Sequence, residues 1–322
     1  MPRTAPIFAA LLAMLASFAG AADDPTRPVT MVLGFAPGGP SDVVARLVAR
    51  RLEQVMGQPV VVENRAGAGG NVAGEMVARA APDGHTLLLG TNGILATNVS
   101  LYKKIGYDPV KDFAPITILG SQANILYVHP SVKANSVAEL VALAKDNPGK
   151  LNFASGGHGT AGHLAGELFK TEAGINIVHV AYKGTGPALQ DVLAGHVQMA
   201  FSAAAPIVPH IQSGAVRPLA VTSLKRTAAL PEIPAFAELG YPGFEAITWH
   251  SLVAPAGTPR EVIATLHRAA MAALEDPEVK KQFATLGVDV VGNTPEEFAT
   301  YVKAEIPKWA AIIKASGATL ND

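Results

Sequence analysis

The 322-residue chain carries 25 Lys and Arg against 26 Asp and Glu, a net charge of −1, with the basic residues scattered singly or in pairs. Without a basic stripe, counterion release cannot drive nucleic-acid binding, and no nucleic-acid partner is expected. The absence of cysteine excludes disulfides, thiolate metal sites, cysteine nucleophiles and the lipidated cysteine of a lipoprotein anchor.

Residues 1–22 read as a secretory signal peptide: Arg3, an apolar run over 7–18, and the small-residue exit Ala19-Gly20-Ala21. The run is shorter than the roughly 20 residues of a membrane-spanning helix. An exported chain without disulfides fits a bacterial periplasm. The remaining length exceeds what one core comfortably organises, so two lobes are expected.

Strand-like runs fall at 29–33, 59–63, 86–89, 125–128, 177–180, 197–201 and 218–222. Amphipathic stretches such as 41–56 and 137–146 lie between them. In the first of these stretches Val44, Leu47, Val48, Leu52 and Val55 recur at helical spacing. Strands followed by helices predict βαβ units and mostly parallel sheets. After Trp249-His-Ser-Leu-Val-Ala-Pro255 the chain turns helical, over 259–274, 277–286 and 295–316, with one strand-like run at 288–291. That is too little strand for a separate sheet domain. The C-terminal helices are therefore expected to pack back on the first lobe, making the middle an inserted second lobe. The crossings are placed near Gln122-Ala-Asn124 and near residues 244–249.

The informative residues lie where strands hand over to helices: Phe35-Ala-Pro-Gly-Gly-Pro-Ser-Asp42, Asn64-Arg-Ala-Gly-Ala-Gly-Gly-Asn71 and Gly90-Thr-Asn-Gly93. The middle region supplies Ser155-Gly-Gly-His-Gly-Thr160, Tyr182-Lys-Gly-Thr-Gly-Pro187 and Ser202-Ala-Ala-Ala-Pro206. These loops have little side-chain bulk and end at helix starts, where unpaired N–H groups and the helix dipole favour an anion. Parallel strands deliver such loops to one edge of the sheet. As a set they predict a carboxylate site that needs no arginine.

Other chemistries fit less well. Gly67-Ala-Gly-Gly-Asn-Val72 lacks the third glycine of a dinucleotide fingerprint, and no Gly-Lys-Ser/Thr phosphate loop exists. Ser155 fails the nucleophile-elbow pattern at its first position. His158 and His163 are five residues apart, which turns them off a common helix face, so no metal site is expected. His163 with Glu167 reads as a solvated or capping pair, and Trp249 and Trp309 as packing residues.

The loop strings, together with Pro82-Asp-Gly-His-Thr-Leu87, Tyr107-Asp-Pro-Val-Lys-Asp-Phe113, His179-Val-Ala-Tyr-Lys-Gly184 and Ala254-Pro-Ala-Gly-Thr-Pro259, closely resemble the Bug family. These are the periplasmic substrate-binding proteins of tripartite tricarboxylate transporters. The resemblance runs through the chain after residue 22 in the expected order. It implies an α/β, two-lobed periplasmic-binding-protein (Venus flytrap) fold, with residues 23–123 plus 249–322 as lobe 1 and 124–248 as lobe 2. It implies a monomer that is no enzyme, needs no cofactor, captures a small carboxylate in the periplasm and delivers it to a permease of large and small subunits. By position it nominates Phe35, Gly38, Gly39, Thr91, Asn92, Ser155, Gly157, Gly159 and Thr160 as ligand-binding. Many relatives carry an acid where this chain has Ser202. A substrate ammonium would be poorly compensated there, which points to a di- or tricarboxylate or an aromatic carboxylate. A hydrolase using Ser155, or a ligand sensor for a membrane receptor, are the alternatives.

Overall fold

The computed structural model describes residues 27–182 and 185–316; the expected signal peptide lies outside them. Strand β1 (Val29–Leu33) is apolar and buried except at the half-buried Thr30, and it pairs in parallel with β2 (Val60–Asn64) and β3 (Thr86–Thr91). Helix α1 (Pro40–Met56) crosses between β1 and β2. Pro40 starts it, where a missing N–H costs nothing. Gly57 stops it in the left-handed conformation, its N–H returning to the Glu53 carbonyl. Its buried stripe of Val44, Ala45, Val48, Ala49 and Leu52 packs on Leu266, Ala269, Ala270 and Ala273 of the helix Arg260–Glu275.

Two strands hold the molecule together. Strand β4 (Phe113–Val128) pairs antiparallel with β9 (Ile247–Pro255) from Phe113 to Ala123, then with β7 (Met199–Ala203) from Asn124 to Val128. β9 in turn pairs antiparallel with β3. Beyond β7 lie β5 (Asn152–Ser155) and β6 (Val178–Ala181), both parallel additions, while β8 (Arg217–Val221) and β10 (Asp289–Val290) flank β4. The outer strands of each half are thus parallel, as the alternating pattern predicts, and the two crossing strands are antiparallel to their neighbours. Only 125–128 of β4 was expected as strand. Pro115 and Gly120 interrupt the alternation of its first part, where the pairing with β9 is irregular.

The partner change of β4 is clamped at Asn124. Its N–H donates to Thr222 Oγ1 (2.9 Å), while its Nδ2 and the Thr222 hydroxyl both donate to the Ala246 carbonyl, at 2.9 and 2.8 Å. In the middle half, α4 (Val137–Asp146), α5 (Ala161–Ala173) and α6 (Thr185–Leu193) cover the strands, following α2 (Asn71–Ala78) and α3 (Asn98–Leu101) of the first half. The short α7 (Val208–Gln212) precedes β8, and α8 (Arg260–Glu275), α9 (Pro277–Leu286) and α10 (Pro295–Ser316) end the chain. α8 and α9 pack on the first half, as expected. α10 does more: Phe298 and Val302 join the first half's core, whereas Trp309, Ile312 and Ile313 share a cluster with Phe169, Phe201 and Phe236 of the second half and Ala96 and Leu101 of the first.

Loop positions depend on close backbone approach. A Cβ at Gly34, just after β1, would stand 2.6 Å from Gly70 Cα, in the loop after β2. Backbone cannot yield as a side-chain tip can, so Gly34→Ala is expected to cost about 1–3 kcal/mol in urea unfolding; an unchanged midpoint would show that the two loops separate freely.

Candidate functional site

A cleft of about 360 Å³ lies between the halves, lined from one side by Phe35, Ser41, Thr91 and Asn92 and from the other by His158 and Thr160. Its described lining contains no Lys, Arg, Asp or Glu. The N-terminus of α1 meets it at Pro40 and Ser41, and that of α5 at Thr160 and Ala161. The first N–H groups of each helix have no partner within it. Two positive helix ends from two halves therefore face one small volume.

The loop before α1 is held by Asp42, which is buried and accepts from Gly38 N (3.0 Å), Arg46 Nε (2.9 Å) and Asn64 Nδ2 (2.9 Å). The Arg46 bond leads these contacts in pulling the Asp42 carboxyl down to about 2, so it is ionised at neutral pH. Asn64 ties the same loop from the other side by donating to the Phe35 carbonyl (2.9 Å). The loop before α5 is likewise self-bonded. Thr160 Oγ1 donates to the Gly157 carbonyl (2.8 Å) and caps His163 N (3.4 Å), Gly157 N donates to Ser155 Oγ (3.2 Å), and Gly159 N donates to His163 Nδ1 (3.0 Å).

Of the residues expected to bind ligand, Phe35, Thr91, Asn92, Gly159 and Thr160 line the cleft. Gly38, Gly39, Ser155, Gly157 and Ser202 do not. Gly38, Gly39 and Gly157 shape the loops, with Gly38 at φ +84° and Gly157 at φ +132°. Ser155 is buried beneath its loop, and Ser202 is buried on β7 opposite Ile125.

Sequence reasoning missed a polar strip across the crossing strands. Thr91 pairs with His250 and Gln122 with Thr248, so residues from β3, β9 and β4 share one wall of the cleft. His250 is buried, with Nε2 2.9 Å from Ser41 Oγ and no partner at Nδ1 among the described residues. Burial alone pushes its pKa down to about 4. Thr91 Oγ1 is also buried without a partner among them. The signal available was two polar residues two apart, Thr248 and His250, in a strand otherwise apolar but for Ser251.

The histidines require a correction. His158 precedes α5 instead of lying on it, so the helix-face argument against its meeting His163 does not apply. His163 and His179 stack with ring centres 4.0 Å apart, and His158 lies 5.4 and 5.1 Å from them. His163 and Glu167 are both buried, and Glu167 is paired to Lys170 at 2.8 Å, so they form no solvated pair. Burial, with the neighbouring imidazoles and Lys170 adding to it, pushes His163 down to about 4 and His179 to about 3. Ser155 Oγ does lie 2.7 Å from His179 Nε2. However, the serine is 1% exposed and no carboxylate among the described residues orients that ring, so a hydrolytic substrate has no approach.

The sequence profile described as the tripartite tricarboxylate transporter family receptor matches residues 44–318. The chain belongs to this family. Protein BugT of Bordetella pertussis (strain Tohama I) is 39% identical over 92% of this chain and 91% of its own length. Among solved structures, the periplasmic binding protein BugD superposes with a TM-score of 0.73 at 39% identity, over 92% of this chain and 99% of that one. R. palustris Rpa4515 with adipate matches at 0.76 and 39%, over 92% and 99%. MatC (Rpa3494) from Rhodopseudomonas palustris with bound malate matches at 0.73 and 34%, over 90% and 99%. The chain is therefore a two-lobed solute-binding component of a transport system and no enzyme, and the Trp249 and Trp309 side chains pack in its core.

An unfolded histidine takes up its proton near pH 6.5, whereas His163, His179 and His250 stay neutral in the fold until about pH 4 or below. Between these values the unfolded chain binds more protons, so stability falls as pH drops. His163→Asn keeps an acceptor for Gly159 N–H and removes one titration. Between about pH 6 and 4.5 its unfolding free energy should fall less steeply than the parent's, by up to about 1.4 kcal/mol per pH unit. An unaltered slope, read by urea unfolding, would remove His163 from this account.

Proposed function

We propose that residues 1–22 export this chain to the periplasm, where lobe 1 (23–123 with 249–322) and lobe 2 (124–248) close as a monomer around a small carboxylate. The loaded protein then delivers it to a permease of large and small subunits. The observation that carries the reading is the pair of helix N-termini, α1 and α5, facing a cleft whose described lining has no charged side chain. One carboxylate fits between these ends. A second polar group of the ligand would meet the strip of Thr91, Thr248, His250 and Gln122. Dicarboxylates bound by two relatives, adipate and malate, support that arrangement. With no acid in the described lining to compensate an ammonium, the ligand is a di- or tricarboxylate, or an aromatic carboxylate, without a charged nitrogen.

Ligand that binds only the native state raises apparent stability, by about 2.7 kcal/mol at a hundredfold excess over Kd. A thermal-shift series of succinate, malate, adipate, citrate, benzoate and aspartate is expected to shift the protein with one or more of the first five and not with aspartate. The strongest shift from aspartate would sink the choice of ligand class.

Two threonines should separate. Thr91→Val replaces a buried hydroxyl without a described partner by a methyl, so the ligand-free protein keeps its stability while calorimetry shows affinity about tenfold weaker. Thr160→Val loses a helix cap and is expected to lower both stability, by about 1 kcal/mol, and affinity. Unchanged affinity in Thr91→Val would take that hydroxyl out of the site.

A further inference from the structure

The three histidines offer one nitrogen each within 4.8 Å of one another. They come from three places: the loop before α5, the first turn of α5, and strand β6. No carboxylate among the described residues pairs with any of them. We propose that His158, His163 and His179 form a binding site for a borderline divalent transition metal, of the zinc, cobalt or nickel class, at the second-lobe wall of the cleft. The inference goes beyond carboxylate capture and does not depend on it.

The donor chemistry suits such ions. Neutral imidazole is the ligand that zinc, nickel and copper favour, whereas calcium and magnesium favour oxygen. His163 and His179 are held neutral by burial, so they keep a lone pair at neutral pH. Ser155 Oγ has one proton to place between the Gly157 carbonyl (3.1 Å) and His179 Nε2 (2.7 Å); metal binding selects the tautomer in which Nε2 keeps its proton and donates to Ser155, leaving the lone pair of that ring on Nδ1. His158 is exposed, makes no hydrogen bond among the described residues, and is free to swing. Metal–nitrogen bonds of about 2.0–2.1 Å in tetrahedral geometry bring ligand atoms to roughly 3.3 Å of each other. Loading therefore requires His158 to swing toward the pair and the stacked rings, whose planes lie 22° apart, to turn so that their in-plane lone pairs converge.

His163 sets the cost. Its Nδ1 accepts the Gly159 N–H, so the ring's proton sits on Nε2. Loading therefore exchanges this hydrogen bond for a metal bond and releases the Gly159 N–H, which lines the cleft. Three neutral ligands leave the ion's charge uncompensated and its fourth position open. His158 also lines the cleft, so the site adjoins the volume between the lobes.

The test uses the full-length mature protein without a histidine tag, stripped with EDTA and dialysed, with no carboxylate present. Co²⁺ is titrated by visible absorption and Zn²⁺ by calorimetry. One equivalent of saturable binding is expected, with the intense visible bands of tetrahedral Co²⁺, which Zn²⁺ displaces. His158→Gln, at an exposed position, is expected to weaken binding at least about tenfold while keeping the parent's unfolding midpoint. His196→Gln, outside the cluster, should bind as the parent does. Absence of saturable binding, or equal binding by His158→Gln and parent, overturns the site. Because only metal is present, neither result bears on the carboxylate reading.

Discussion

The structure depends on one strand changing partners. β4 hydrogen-bonds to β9 as far as Ala123 and to β7 from Asn124 onward, so one extended segment belongs to both halves of the sheet. Everything functional follows from where that change falls. It sets the loops after β1 and β3 opposite the loop after β5, and it leaves the cleft floored by the crossing strands. Asn124 and Thr222 satisfy the polar groups that the change would otherwise strand, by bonding each other and the Ala246 carbonyl. Buried backbone polar groups must find such partners. The crossing is therefore a bonded corner, and under the proposed closure a ligand shifts the equilibrium only through contacts that the closed state adds.

Binding an anion without a cationic side chain is the second constraint. Loops rich in glycine would be poor binding elements if they moved, because ordering them would consume affinity. Here most of their own donors are already committed: Gly38 to Asp42, Gly157 to Ser155 and Gly159 to His163. What remains for the ligand is the N–H of Ser41 at the start of α1 and those of Ala161 and Gly162 at the start of α5, because Pro40 has none, Asp42 N–H returns to the Gly39 carbonyl and Thr160 caps His163 N. This division explains why several glycines of the loop strings shape the site without lining it. At these two helix ends the residues that line it are the first positions of α1, Pro40 and Ser41, and the cap and first position of α5, Thr160 and Ala161.

Much of this was legible in the sequence. Helices 137–146, 277–286 and 295–316 match their observed spans, because caps and prolines mark their ends. The glycine-rich loop strings identified the family, and five of the ten residues nominated with them line the cleft. Three features were not legible, each for a physical reason. Pro115 and Gly120 hide the first part of β4, since the sheet tolerates them only through irregular pairing. The polar strip mixes into an apolar strand, and only cross-strand register brings Thr91 beside His250. The histidines stand at 158, 163 and 179, and spacing along a chain says nothing of a loop that folds back over a strand.

The C-terminal helix adds a third crossing that the strand pattern does not reveal. Phe298 and Val302 anchor its start in the core of the first half of the molecule, and Trp309, Ile312 and Ile313 anchor its end in a cluster that joins Ala96 and Leu101 of that half to Phe169, Phe201 and Phe236 of the second. Tyr301 donates to Glu245, just before β9, while buried Glu305 accepts from Lys308 and Trp309 at 2.7 Å each. Pro307 stands between the two sets of anchors. It has no N–H to bond the carbonyl four residues earlier, so the helix is weakest there. Rotation of one half against the other must pass through this helix as well as through β4 and β9. A strap anchored at both ends resists such rotation least where its hydrogen-bond ladder is already interrupted, which is at Pro307.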